Sequence, residues 1–187
     1  GTLAAGTITD VESEINTNTS SISTNSTNIS TNSSAISTIN DTTLANFSSG
    51  ARVYQDTGGN TAVGYNALYF NDNGYYNVAI GSTALFNNTS GSSNTAIGSA
   101  SLFNNSTGGY NTAVGYLSLY NNTTGSQSTA FGYASLYSNT TGSDNTASGF
   151  QALFSNTTGS SNTASGYNAL FLNTTGDGNT GFGKSVL

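Results

Sequence analysis

The sequence predicts an all-β repeat solenoid, a parallel β-roll or β-helix of 17-residue coils, preceded by an α-helical coiled coil. Three observations carry that expectation. From Asn60 onward the chain consists of seven full copies and one partial copy of a 17-residue unit, with no slip of register. Ahead of it, isoleucine returns every seventh residue through a stretch built almost wholly of Ser, Thr and Asn. Only 5% of the 187 residues are charged, against roughly a quarter in an ordinary soluble domain. A random sequence of that composition would stay disordered, but strict periodicity signals a stacked repeat.

Residues 1–7 are too few to assign. Over 8–39, Ile8, Ile15, Ile22, Ile29 and Ile36 hold one heptad position, and Val11, Asn18, Asn25, Asn32 and Ile39 follow three residues later. These are the a and d places of a coiled coil with apolar ends and an asparagine middle. Ser, Thr and Asn are weak helix formers, because their side chains compete for backbone hydrogen bonds. Burial of the apolar seam (Ile8, Val11, Ile15, Ile22, Ile29, Ile36, Ile39) against partner helices is what would offset that weakness.

The stretch Ile15-Asn-Thr-Asn18-Thr19, repeated with serine in the last place at Ile22–Ser26 and Ile29–Ser33, resembles the I-x-x-N-T stalks of trimeric autotransporter adhesins and phage tail fibres. The resemblance implies a parallel homotrimer. It also implies that Asn18, Asn25 and Asn32 point to the trimer axis and hold a chloride-like anion there; no other cofactor is expected.

Residues 40–59 are expected to form a neck between the two periodic segments. Arg52 either pairs with Asp41 or Asp56 across chains or is simply solvated.

The repeat, numbered from Asn60 as place 1, suits one solenoid turn per unit. Two short β pieces are expected in each, exemplified by Thr112–Gly115 and Leu117–Tyr120. Glycine at place 5 would supply a tight corner or a positive φ, and glycine at place 15 would close a second turn. Leu68, Leu85, Leu102, Leu119, Leu136, Leu153 and Leu170 at place 9 are expected to fill the core opposite alanines at place 3. Place 10 is always aromatic: Tyr69, Phe86, Phe103, Tyr120, Tyr137, Phe154 and Phe171. Adjacent strand residues point to opposite faces, so this ladder leaves the coil interior. An exposed stripe of that length would be sticky, which favours burial at a chain interface. Asn94 to Ser101, N-T-A-I-G-S-A-S, is similar to the head repeat of the same adhesins, whose heads are trimers of left-handed β-rolls; handedness here rests on that analogy alone.

Little catalytic chemistry is available. Cys and His are absent, which removes thiolate, disulfide and histidine-metal chemistry. Asp72, Asp144 and Asp177 sit in separate coils with no second carboxylate at fixed spacing. No phosphate loop or calcium motif occurs, so neither an enzyme nor a metal site is expected. A net charge of −6, with only Arg52 and Lys184 positive, opposes nucleic-acid binding. No apolar run is long enough to span a bilayer. The N-x-S/T sequons at Asn88, Asn105, Asn122, Asn139, Asn156 and Asn173 read either as glycosylation sites or, the favoured reading, as capped Asn-Thr-Thr-Gly turns.

These features together predict an extracellular, non-enzymatic attachment fibre on a virion tail or a cell surface. Its expected partners are further fibre or particle subunits and a host receptor, with glycans among the candidates. A bacterial surface adhesin or filament subunit is the near alternative. A remote alternative is an ice-binding solenoid: Thr61, Thr95, Thr112, Thr129, Thr146 and Thr163 form a ladder, but it lacks a T-x-T face. Tyr65, Tyr116, Tyr133 and Tyr167 could serve sugar stacking or the trimer seam equally.

Overall fold

The computed structural model describes residues 5–48 and 51–187, with side-chain surroundings defined for 9–34 and 55–187. The chain divides into two units, Gly1–Asn46 and Phe47–Leu187.

The first unit is made of one helix, α1, whose full range is Ala5–Ser48 and so ends two residues past that unit. It therefore runs on past the heptad segment into the residues read as a neck. Many of its serines and threonines turn their hydroxyls back onto the helix. Thr19 Oγ1 donates to the Ile15 carbonyl at 2.8 Å, and Thr17, Ser20, Ser21, Thr24, Thr27, Thr31 and Ser34 each bond the carbonyl four residues back. That arrangement keeps these side chains from bonding the backbone in competing, non-helical ways. It adds no apolar contact, so the helix owes little to its own sequence.

The second unit is a parallel β-solenoid of 17-residue coils. A nine-stranded sheet runs in sequence order, β1 to β9. The first strand, β1 (Ala51–Gln55), pairs antiparallel with β2 (Thr61–Tyr65), so the upper edge of the stack is closed by a hairpin. From β2 each strand pairs parallel with the next: β3 (Val78–Ile80), β4 (Thr95–Ile97), β5 (Thr112–Val114), β6 (Thr129–Phe131), β7 (Thr146–Ser148), β8 (Thr163–Ser165) and β9 (Thr180–Phe182). Place 2 always meets place 2 of the next coil, and so on around the turn. In most coils threonine followed by alanine and a β-branched or aromatic residue suits the strand, although place 4 is serine at Ser148 and Ser165. Within it only the alanine turns inward.

Each coil has one short strand, of five residues in the first coil and three in every later one. The second expected strand, Leu117–Tyr120 and its equivalents, is a turn. Places 7 and 9 both adopt left-handed backbone, as at Leu117 (φ 59) and Leu119 (φ 49). The place-9 leucine still turns inward and the place-10 ring outward, as expected, but place 8 is buried too, as at Ala67, Ala84 and Ser118, so the segment does not alternate as a strand would. The place-9 leucines are buried, and they join the place-3 alanines in a single core. Place 3 faces place 9: a methyl group added at Gly181 would lie 2.8 Å from Leu170 Cγ. Burying each leucine contributes about 1.5–3 kcal/mol.

Left-handed φ at a non-glycine residue costs about 1–2 kcal/mol, and asparagine tolerates it best. Two coils already carry asparagine at place 7, Asn66 and Asn168, while Leu117 stands there at φ 59. We therefore expect Leu117→Asn to stabilise the protein by about 1 kcal/mol in urea denaturation; an unchanged or lowered midpoint would contradict the strain assignment.

The core has a second component that the sequence reading placed elsewhere. Two columns of asparagine side chains are fully buried inside the coils. At place 1, the Asn77 backbone N–H and amide both donate to Asn60 Oδ1, at 2.8 and 3.1 Å, and Asn94 repeats this on Asn77. At place 12, Asn105 donates to Asn88 Oδ1 at 2.8 Å, Asn122 to Asn105 at 2.8 Å, and Asn139 to Asn122 at 2.9 Å. The columns meet at the place-15 glycine carbonyl. Gly125 O accepts from Asn111 and from Asn122, each at 2.8 Å. Place-15 glycines have ordinary φ, so the expected turn role is not what requires them. A side chain there would strike the asparagines: a Cβ on Gly91 would stand 2.5 Å from Asn105 Nδ2.

The column at place 1 is capped. Asp56 supplies carboxylate oxygens to the Asn60 backbone N–H and amide, both at 2.9 Å. It does there what an asparagine of a preceding coil would do. The side chains of Asp41 and Arg52 lie outside the described residues.

Candidate interaction surfaces

The coil interior holds Leu, Ala, Asn and a few Ser, so any contact with another molecule would fall to the residues left outside. On α1, Val11, Ile15, Ile22 and Ile29 are 50%, 57%, 68% and 67% exposed. Asn18, Asn25 and Asn32 are exposed as well. Ile8, Ile36 and Ile39 lie outside the residues whose side chains are described. This is an exposed apolar column in heptad register, on a helix that adds few apolar contacts of its own.

On the solenoid, place 10 forms the expected aromatic ladder, and its geometry is regular. Phe86 and Phe103 stack at 5.0 Å and 5°, Tyr120 and Tyr137 at 5.3 Å and 6°, Phe154 and Phe171 at 5.1 Å and 5°. Tyr69 begins the column, 5.5 Å from Phe86, and Phe70 meets both rings edge-on. Stacking covers the ring faces, so all but Tyr69 are half-buried within a single chain. Each such ring pair contributes about 0.5–1.5 kcal/mol beyond burial. Part of what looks like an interface signal in the sequence is therefore internal cohesion.

A second ladder stands at place 6. Tyr133, Phe150 and Tyr167 are stacked at 4.9 and 5.0 Å, within 9° of parallel. Tyr116 joins at 5.6 Å with its ring tilted by 39°. The Lys184 ammonium lies 5.7 Å over Tyr167 and covers the lower end. Tyr69 apart, rings here are more exposed than at place 10, and so are the place-4 side chains Val63, Ile80, Ile97 and Phe131 across the glycine corner. Sequence reasoning singled out the place-6 tyrosines, but not Phe150 or the ladder they build together. The period contained that signal.

The sequon asparagines Asn88, Asn105, Asn122, Asn139 and Asn156 are fully buried, with their amides bonded to neighbouring coils. The folded protein does not offer them to a glycosylating enzyme. Among the described residues no group of three or more His, Cys, Asp or Glu is placed to hold a metal ion, and no helix is long and apolar enough to cross a membrane. A pocket at the last coil, lined by Leu170, Leu172, Asn173, Asn179, Thr180 and Leu187, contains no acid–base side chain.

These features define a parallel β-solenoid repeat protein with an N-terminal helix. No protein-family model matches the chain, and no curated protein or solved structure matches it either.

Proposed function

We propose that the chain is a subunit of a homotrimeric attachment fibre, displayed outside the cell on a virion tail or a cell surface, with no catalytic role. The observation that carries this reading is the exposed heptad column on α1, Val11, Ile15, Ile22 and Ile29. Three parallel helices would bury it, and the d-place asparagines Asn18, Asn25 and Asn32 would then line the axis, where an anion fits. Asparagine in a core position specifies register and partner number at some cost in stability. The solenoid supports the same reading by its economy. It is a long stack held by nearest-neighbour bonds, with side faces free for contact, as suits a spacer that also presents a surface. The place-10 ladder is the candidate seam between its chains, which leaves the place-6 column outside that seam. The bacterial adhesin remains the near alternative within this class. Ice binding gains no support: the outward companions of the place-2 threonines are Val63, Ile80, Ile97 and Val114, not threonine.

Sedimentation equilibrium tests the assembly. A mass near three times 18.9 kDa, independent of salt because the seam is apolar, is the expected result. Ile22→Asn, which places a polar amide at a central a position, should shift the mass toward monomer. A wild-type monomer at micromolar concentration would refute the fibre reading.

A further inference from the structure

The place-6 column is interrupted. It reads Tyr65, Ser82, Ser99, Tyr116, Tyr133, Phe150, Tyr167 and Lys184. Backbone bonds keep the interruption in register: Thr83 N–H donates to the Tyr65 carbonyl at 2.7 Å, Ala100 to Ser82 at 2.9 Å, and Leu117 to Ser99 at 3.2 Å. Two rungs of the ladder are therefore missing between Tyr65 and Tyr116. At about 4.8 Å per coil the two tyrosines stand roughly 14 Å apart along the stack.

Everywhere else in the column a ring face is covered by the next ring or, at the bottom, by Lys184. In a stacked ladder only edges reach solvent, so the continuous part offers poor footing for a ring-stacking ligand. Tyr65 and Tyr116 differ. Each is 50% exposed, and each borders a serine on the side of the gap. Tyr116 is also the ring that tilts out of its stack, by 39°. The floor of the gap carries the exposed Ser82 and Ser99, whose hydroxyls make no hydrogen bond among the described residues. Along one side, across the glycine corner, Ile80 and Ile97 are exposed. No charged side chain belongs to these coils at places 4 to 7.

We propose that this notch binds a neutral glycan, with pyranose rings stacked on the open faces of Tyr116 and Tyr65 and sugar hydroxyls bonded to Ser82 and Ser99. A pyranose has one apolar C–H face and a rim of hydroxyls. The notch supplies an aromatic face and a hydroxyl floor in the same place, with no charge to select an acidic ligand. A plain aromatic ligand would leave the serines without partners. A phosphate or sialate would find no cation. The inference deepens the attachment reading by naming the receptor class, but the notch is built by one chain and does not depend on the trimer.

The test uses the full chain on a printed array of neutral and sialylated glycans. Wild type is expected to retain neutral structures. The double variant Ser82→Tyr/Ser99→Tyr completes the ladder with a residue that place 6 already accommodates. It should fold with an equal or higher melting temperature and lose that binding. Tyr116→Ser should weaken it by about tenfold, the loss of one ring contact. Sedimentation of the same samples reports the assembly separately, so failure of the trimer and failure of the notch are read apart. Binding that survives the filled notch, binding confined to sialylated glycans, or no glycan retained by wild type would each overturn the proposal.

Discussion

Gly115→Ala is expected to cost about 4 kcal/mol or to prevent folding, while Gly178→Ala costs about 1 kcal/mol. Gly115 sits at place 5 with φ 135, a conformation closed to residues with a side chain, and an added Cβ would lie 2.7 Å from the carbonyl carbon of Gly132. The obstacle is backbone, so no rotamer change relieves it. The place-5 glycines stand one above another from Gly64 to Gly183, all with φ between 117 and 139. A displaced coil would also push its neighbour. Gly178 has φ 68 and nothing within 4 Å of an added Cβ, which leaves only the ordinary left-handed penalty. Urea denaturation of both variants, followed by circular dichroism, gives the comparison. Equal midpoints would show that the corner tolerates a side chain and that the close stacking of coils is not what selects glycine.

Asn122→Leu is expected to cost about 4 kcal/mol although it exchanges a polar core side chain for an apolar one of similar size. Asn122 donates to Asn105 Oδ1 and to the Gly125 carbonyl, both at 2.8 Å, and accepts from Asn139 at 2.9 Å. Leucine would leave Asn105 Oδ1 and one Asn139 N–H buried without partners. Each such orphan costs about 1–3 kcal/mol. Added apolar burial offsets only part of this, because the loss spreads to the coils above and below. The chain contains its own partial control. Place 1 holds serine once, at Ser128, so Gly142 O keeps the amide of Asn139 but has none from place 1. Ser128→Asn should restore that bond and stabilise by about 1 kcal/mol. If Asn122→Leu proved neutral, the columns would be passengers in an apolar core and not part of what holds it.

The contrast between these two sites shows what could be read in advance. The period, the buried Leu and Ala columns, the outward rings and the glycine corner all follow from residue type at fixed spacing, and the solenoid was legible from them. The asparagine columns were not. Isolated asparagine is a surface or turn residue, and Asn-Thr-Thr-Gly reads as a loop. Only stacking at one coil per step lets each amide find its partner in its own copy, which makes burial affordable. The recurrence of Asn at place 1 in all but one unit was the available signal. The turn at Leu117–Leu119 was hidden for the opposite reason: leucine disfavours left-handed backbone, and its alternation with an aromatic imitates a strand. On α1 the heptad marked the exposed apolar column, whereas the partner chains proposed to cover it are not part of a single chain's fold. The place-6 notch was visible as letters, but a missing rung acquires meaning only once the neighbouring rings are known to stack.

Almost every bond that crosses between coils joins a residue to its equivalent, or near-equivalent, in the adjacent copy. An in-frame loss or gain of one unit, of the kind produced when similar coding repeats misalign during recombination, would thus leave each remaining coil with the same neighbours it had. Copy number is free to drift while the cap at Asp56 stays fixed. Selection can then act on the number of coils and on which rungs of place 6 hold a ring, two properties that this register allows to evolve separately.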